Sequence, residues 1–271
     1  MIEVDLTPSR VDAASHYGVS LDLSAWLACH ATPSQLHRPA VDSFKTDTHD
    51  GAVAVEVDDY NACPRYTGIT IRNIKVAESP EWLKNYLSAI GQRPINNIVD
   101  ITNFILLGMG QPLHCFDVDK IAGGKVVVRH CAEGTPVTTL DEIERKLDAR
   151  DLMICNAEQP MCIAGVFGGL DSGVTQTTTS IFLESAYFNP TSIRKTARRH
   201  GLSTDASFRY ERGTDPNATL YCLKLAALMV KELAGGEICG DVIDIYPEPV
   251  KPFPVKLEYD YVDSLVGKKI P

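Results

Sequence analysis

Apolar positions along this chain recur with two periods, and each period marks out its own elements. Helical spacing covers Asp12 to Ala28, after an extended IEVDLTP. Ser79-Pro80-Glu81 opens a second helix, with proline at the first helical position and an acid in the first turn; it ends near Gly91. Pro94 starts a third that runs to Gly108, where Gly108 and Gly110 supply the stop. Strand-like runs lie at Ala52–Val57, Thr67–Val76, Lys125–His130, Thr135–Asp141 and Leu152–Cys155. Met161–Gly169 and Thr179–Ala186 read as a strand–turn–strand pair around a glycine-rich loop. Asn189-Pro190 caps a basic helix that Gly201 terminates, and Asp215-Pro216 caps a longer one closed by Gly235-Gly236.

Helices and strands alternate irregularly, with glycine turns between the β segments, so the expected class is α+β. From Tyr246 to Pro254 the chain reads YPEPVKPFP, a proline-stiffened linker. VKLEYDYVDSLVGKKIP then begins a further element without completing it, as expected of a piece of a longer polypeptide.

Composition narrows the setting. With 44% apolar and 23% charged residues in 271, the chain reads as a soluble globular protein. It has no apolar run of about 18 residues, so no membrane span is expected. MIEVDLTPSR lacks an apolar signal core, which favours the cytoplasm. The eight cysteines include no Cys-x2-Cys pair, so they are expected to be reduced small hydrophobes, with no metal held. A net charge of −9 argues against a free-standing nucleic-acid binder. Any such contact must be local, and residues 194–213, with five Arg and one Lys, are the basic cluster available.

Several residues then stand out chemically. On the helix expected from 94 to 107, Asn96, Asp100 and Asn103 fall at i, i+4 and i+7 as one polar stripe opposite Ile98, Ile101 and Ile105. A solvated edge is the plain reading, but such edges are more often Glu or Lys, and Asn is a poor helix former. Inward amides would recognise something polar. Pro112 disfavours helical geometry at Gln111, so His114 is delivered on extended backbone. Ala164–Gly173 (AGVFGGLDSG) fits neither dinucleotide nor phosphate-loop patterns. It is either a tight β connection or a loop whose glycines let a ligand approach backbone N–H groups.

Glu184, in IFLESAYF, shares a strand face with Phe182 and Ala186. A carboxylate there must find a donor or be protonated; the donor is an arginine or a ligand hydroxyl. Arg194 and Arg198, with Lys195 and Arg199 beside them, make either a solvated helix face or a phosphate contact. Neither a Gly-x-Ser-x-Gly elbow nor a His-Glu-x-x-His pair occurs, which speaks against a serine hydrolase or zinc protease.

Taken in order, RPINNIVDITNF, GQPLHCFD, AGVFGG, LESAYFNP and RKTARRHGLSTDASFRYERG resemble the β subunit of bacterial phenylalanyl-tRNA synthetase, at its B3/B4 editing domain. The resemblance covers about Ala40 to Asp244 and implies a mixed β-sheet or barrel-like core with flanking helices. It also implies three parts: 1–39, the end of a B1-like region with a linker; 40–246, the editing domain; and 247–271, a linker and the start of a B5-like domain. The implied activity is hydrolysis of tyrosine wrongly attached to tRNA(Phe). An apolar phenylalanine pocket rejects an added hydroxyl only about 100-fold, so a second sieve is needed. The resemblance maps the site onto Arg93, Asn103, His114, Ala164, Gly165, Glu184, Thr204 and Ala206.

On that mapping Glu184 reads the tyrosine hydroxyl. Asn103 and the backbone near Gly165 position the amino acid and the attacked carbonyl, while His114 and Arg93 orient the terminal ribose or the water. Arg194, Lys195, Arg198 and Arg199 would face the tRNA acceptor end. ATP and Mg²⁺, and an α subunit in an α2β2 assembly, are implied for the full synthetase and no cofactor for this piece. Two other functions stay open: an assembly scaffold with a vestigial pocket, and a tRNA-binding module without hydrolysis.

Overall fold

The computed structural model describes residues 3–31 and 35–269. Ile2 of the expected N-terminal extended segment, and Ile270-Pro271 at the end of the last expected element, lie outside the described residues. In chain order the elements are α1 (His16–His30), β1 (Ala54–Val57), β2 (Arg65–Arg72), α2 (Glu81–Ala89), α3 (Asn97–Met109), β3 (Leu113–Asp117), β4 (Lys125–His130), β5 (Pro136–Thr138) and β6 (Glu144–Lys146). There follow β7 (Leu152–Cys155), β8 (Pro160–Ile163), β9 (Ser180–Tyr187), α4 (Pro190–His200), α5 (Asp205–Tyr210), α6 (Ala218–Ala234), β10 (Glu237–Ile245) and α7 (Tyr259–Val266).

The class is α+β, as expected. Two four-stranded sheets, ordered β10-β2-β9-β3 and β1-β4-β7-β8, stand beside a β5-β6 ribbon. The described strands do not close into a barrel. Pairing is antiparallel except between β1 and β4.

β9 is the axis of the arrangement, because both of its faces are covered. Ile181 and Leu183 point to a core shared with α3 and α6 residues such as Ile98, Ile101 and Leu223. Phe182 and Ala186 point the other way, into a core shared with Val126, Val128 and Met153 of the second sheet. A strand sandwiched in this way reads as a nearly continuous apolar run, which SIFLESAY is. Glu184 lies on the inter-sheet face, and it is the exception to that pattern.

Three expectations are corrected. First, Met161–Gly169 and Thr179–Ala186 are not a hairpin: β8 pairs with β7, and β9 pairs with β2 and β3 in the other sheet. Second, α3 begins at Asn97 rather than Pro94, because Asn96 is its cap and accepts from the Ile98 and Val99 amides. Likewise Pro80 caps α2 instead of opening it. Third, Glu237–Ile245, unassigned from sequence, is an edge strand on β2, with a register shift between Cys239 and Ile243. The basic helix α4 starts and stops where its caps place it, with the Asn189 side chain at one end and left-handed Gly201 at the other.

The expected polar stripe is also dispersed. Asp100 is fully buried and accepts from the Ser79 hydroxyl at 2.6 Å and the Ile95 amide at 2.8 Å. Asn96 is a cap. Asn96 and Asn103 both border one cavity, but the Asn96 side chain is committed to the cap and only that of Asn103 makes no hydrogen bond to a described residue.

Candidate functional site

The register of β9 builds the site. Opposite Glu184 stand Gly68 on β2 and His114 on β3. Gly68 has to be glycine, since a Cβ there would lie 2.3 Å from the Phe182 ring. From the same face of β2, the Tyr66 hydroxyl donates to Glu184 Oε2 at 2.7 Å. The carboxylate on this apolar face therefore finds a tyrosine, not an arginine. Burial pushes the Glu184 carboxyl up to about 7, and the Tyr66 hydrogen bond pulls the other way. Burial, followed by the charge of Glu184, holds the Tyr66 phenol well above its ordinary range.

Glu184 opens onto a cavity of about 430 Å³. Val99, Thr102, Asn103 and Leu106 of α3 form one wall, and Leu113, His114 and Cys115 of β3 another. The end of β8 at Cys162 and Ile163, the turn residues 165–169, and Thr204, Asp205, Ala206 and Tyr210 complete it. The lining is mostly apolar with a few convergent polar groups, the usual make-up of a small-ligand site. His114 rests edge-on against Phe116, centroids 4.5 Å apart. Its Nε2 is sealed from solvent without a partner among the described residues, and burial pulls its pKa down to about 4. At neutral pH the ring is uncharged. The Asn103 amide is half-buried and makes no hydrogen bond to a described residue.

The glycine-rich turn shapes the floor. Gly165 has φ +65°, and a Cβ there would meet Phe188 at 2.8 Å and Tyr210 at 3.0 Å. No other residue fits that conformation and space. Gly165 and Gly168 both line the cavity, and neither backbone amide donates to a described residue. Thr204 caps α5, accepts from the Ser207 amide, and donates to Val166 O at 2.8 Å. Its hydroxyl is thus engaged in tying the turn to α5.

Of the residues expected at the site, Asn103, His114, Gly165, Glu184, Thr204 and Ala206 line this one cavity. Arg93 and Ala164 do not. Arg93 is exposed on the segment leading into α3, and Ala164 is buried beside Gly165 with its amide bonded to Leu152 O. Tyr66 was missed by the sequence reading. The available signal was weak, a tyrosine in the mixed strand RYTGITIR, whose phenol needs a partner once buried as much as Glu184 needs a donor.

The basic cluster divides. Arg199 is ion-paired with Asp148 and Asp151. Asp151 is fully buried and also accepts from the Thr196 hydroxyl and His200 Nε2. Arg209 is buried, donating to Ala14 O and pairing with Asp205. Arg212 pairs with Glu211 and stacks on Phe208. Arg194 donates to Glu211 O. Lys195 and Arg198 are exposed and have no partner among the described residues.

A second cavity of about 460 Å³, lined by Lys120, Thr135, Glu144, Asn156 and Asp171 among others, holds none of the expected site residues. Its Asn156 and Ser172 side chains are already bonded to backbone groups. Among the described residues no group of three or more His, Cys, Asp or Glu is placed to hold a metal ion, and no helix is long and apolar enough to cross a membrane.

Comparison with known proteins places this geometry in context. The B3/4 domain family matches residues 62–235. The phenylalanine–tRNA ligase β subunit of Bacteroides fragilis is 60% identical over all 271 residues, which cover 33% of that protein. The same subunit of Porphyromonas gingivalis is 57% identical over 270 residues, 99% of this chain and 33% of its own. The chain thus spans about a third of the length of these curated relatives. A crystal structure of an N-terminal fragment of the phenylalanyl-tRNA synthetase β subunit from Pyrococcus horikoshii is similar over 97% of this chain and 71% of that one, at 15% identity and a TM-score of 0.46.

Proposed function

The chain belongs to the B3/4 domain family, and from that premise we propose that it is the editing part of a phenylalanine–tRNA ligase β subunit, hydrolysing tyrosine esterified to tRNA(Phe). The observation that carries the reading is Glu184. It sits in a ligand-sized cavity with Oε2 bound to Tyr66 and Oε1 without a protein partner among the described residues. Tyrosine differs from phenylalanine by one hydroxyl, and a carboxylate oxygen awaiting a donor is satisfied by the first and stranded by the second.

The other groups take roles around that anchor. The Asn103 amide and the backbone N–H groups of Gly165 and Gly168 stabilise the carbonyl oxygen as water attacks the ester carbon. The bond from that carbon to the terminal ribose oxygen then breaks, releasing tyrosine and a free tRNA end. His114 is a weak base at a pKa of about 4. It works as a neutral hydrogen-bonding group to the ribose or the water, and the neighbouring ribose hydroxyl of the substrate assists in activating that water. Arg93, at the entry to α3, steers the ribose. Lys195 and Arg198, with Arg194, offer the tRNA acceptor end its phosphate contact.

In this reading residues 40–246 form the editing unit of a cytoplasmic α2β2 synthetase. Its ligase site, with ATP and Mg²⁺, lies in other parts of the assembly. Deacylation of Tyr-tRNA(Phe) and Phe-tRNA(Phe) by the chain tests the proposal. Release of tyrosine well above the uncatalysed rate, with phenylalanine spared, supports it. Binding of tRNA without deacylation would instead make this a non-catalytic tRNA-binding module of the same synthetase.

A further inference from the structure

The two oxygens of Glu184 are in different situations. Oε2 accepts the Tyr66 hydroxyl at 2.7 Å, and Oε1 has no partner among the described residues. Tyr66 is fully buried, stands outside the cavity lining, and makes no other side-chain hydrogen bond to a described residue. Its polar group is directed at Glu184 alone.

We infer that Tyr66 is a specificity-setting positioning residue. From behind the cavity it engages Oε2, shifts Glu184 toward its carboxylate form with Oε1 left for a phenol, and thereby sets how strongly tyrosyl and phenylalanyl esters are separated. The inference rests on the editing reading above and deepens it.

The physical basis is the cost of an unpaired charge. A carboxylate oxygen left without a donor by a phenylalanyl ligand costs more than a neutral acid left in the same place. Discrimination therefore follows the charge of Glu184, and a donor to Oε2 favours that charge. The other titratable groups facing Glu184 supply no rival cation. Cys63 precedes β2, Cys115 is on β3, Cys162 on β8 and Tyr210 on α5; burial first, and Glu184 second, raise all four, so they stay neutral. His114, the cross-strand partner on β3, is held neutral by burial. Tyr66 is the one side-chain donor to Glu184 among the described residues.

Tyr66→Phe removes a single oxygen and keeps the buried ring. The ratio of Tyr-tRNA(Phe) to Phe-tRNA(Phe) hydrolysis is measured from pH 5.5 to 9 in both forms. In the unsubstituted chain the ratio should rise as Glu184 ionises. In Tyr66→Phe that midpoint should move up by about one unit, so the ratio near neutral pH falls by up to about tenfold and recovers at high pH. A merely structural Tyr66 would slow both esters alike and leave the midpoint in place, which overturns the inference.

A second readout needs no hydrolysis. With ¹³C-carboxyl-labelled glutamate, the Glu184 resonance (identified by its loss in Glu184→Gln) should titrate at higher pH in Tyr66→Phe. In the unsubstituted chain the Tyr66 hydroxyl proton should shift with the Glu184 midpoint. If no ester is hydrolysed by the unsubstituted chain, the editing reading fails and these titrations judge Tyr66 alone. An unmoved carboxyl midpoint, or a Tyr66 hydroxyl indifferent to pH, overturns the pairing.

Discussion

Glu184 and His114 are direct cross-strand partners on β9 and β3, yet burial drives their proton affinities in opposite directions, the acid up to about 7 and the imidazole down to about 4. Both shifts favour the neutral form, because both groups are removed from water. The cavity thus holds two polar side chains of which neither is a strong base, and whose charge balance moves within the same few pH units.

The pair makes opposite contributions to stability. Glu184, raised from 4.5, stabilises the fold fully below pH 4.5 and loses that contribution as pH rises through about 7. His114, lowered from 6.5, stabilises above pH 6.5 and loses its contribution as pH falls through about 4. In the unsubstituted chain the two largely offset. Thermal melts at pH 5 and 7.5 should show Glu184→Gln losing stability toward the lower pH, and His114→Gln losing it toward the higher. Slopes equal to the unsubstituted chain in both variants would show that these groups are not desolvated.

Within α4, neighbouring cations should behave differently. Arg199→Ala deprives the fully buried Asp151 of its guanidinium partner, and a stability loss on the order of 1–3 kcal/mol is expected in urea unfolding. Reversing Lys195 and Arg198 to Glu should change stability by no more than about 1 kcal/mol, since both are exposed. The same double reversal should weaken tRNA binding and flatten its salt dependence. Unchanged affinity at low salt would reduce this face to a solvated helix edge.

Cysteine reactivity should be uneven. The half-buried Cys131 thiol lies 3.8 Å from Cys155 Sγ; that contact, with Arg129 nearby, lowers its pKa. Cys63, Cys115 and Cys162 are buried, and burial raises theirs. Iodoacetamide at neutral pH, followed by peptide mass mapping, should label Cys131 and the exposed Cys29 well before those three. Equal labelling of Cys162 and Cys131 would contradict the burial described.

Local signals were legible in the sequence where they act locally. KVVVRH and Leu152–Cys155 are strands with the expected bounds, and α4 lies between its Asn189 cap and Gly201. His114 does stand on extended backbone after Pro112. Pairing was not legible, because an apolar run states which face is buried and not which strand lies beside it; hence β8 and β9 were read as partners. A helical wheel likewise cannot tell a cap from a stripe, and so Asn96, Asp100 and Asn103 were grouped although they do three different things. Tyr66 and Glu184 are 118 residues apart, and only the register through β2 and β9 brings them into contact.

The central claim is that Glu184 reads a phenol, and the ratio of Tyr-tRNA(Phe) to Phe-tRNA(Phe) hydrolysis in Glu184→Ala tests it most directly. The account predicts a slower reaction with the tyrosyl ester and a ratio reduced about 5- to 150-fold, the equivalent of 1–3 kcal/mol for one lost hydrogen bond to a buried charge. His114→Ala, run alongside, should slow turnover with less change in the ratio. A Glu184→Ala ratio equal to that of the unsubstituted chain would contradict the claim and leave Glu184 as a structural partner of Tyr66.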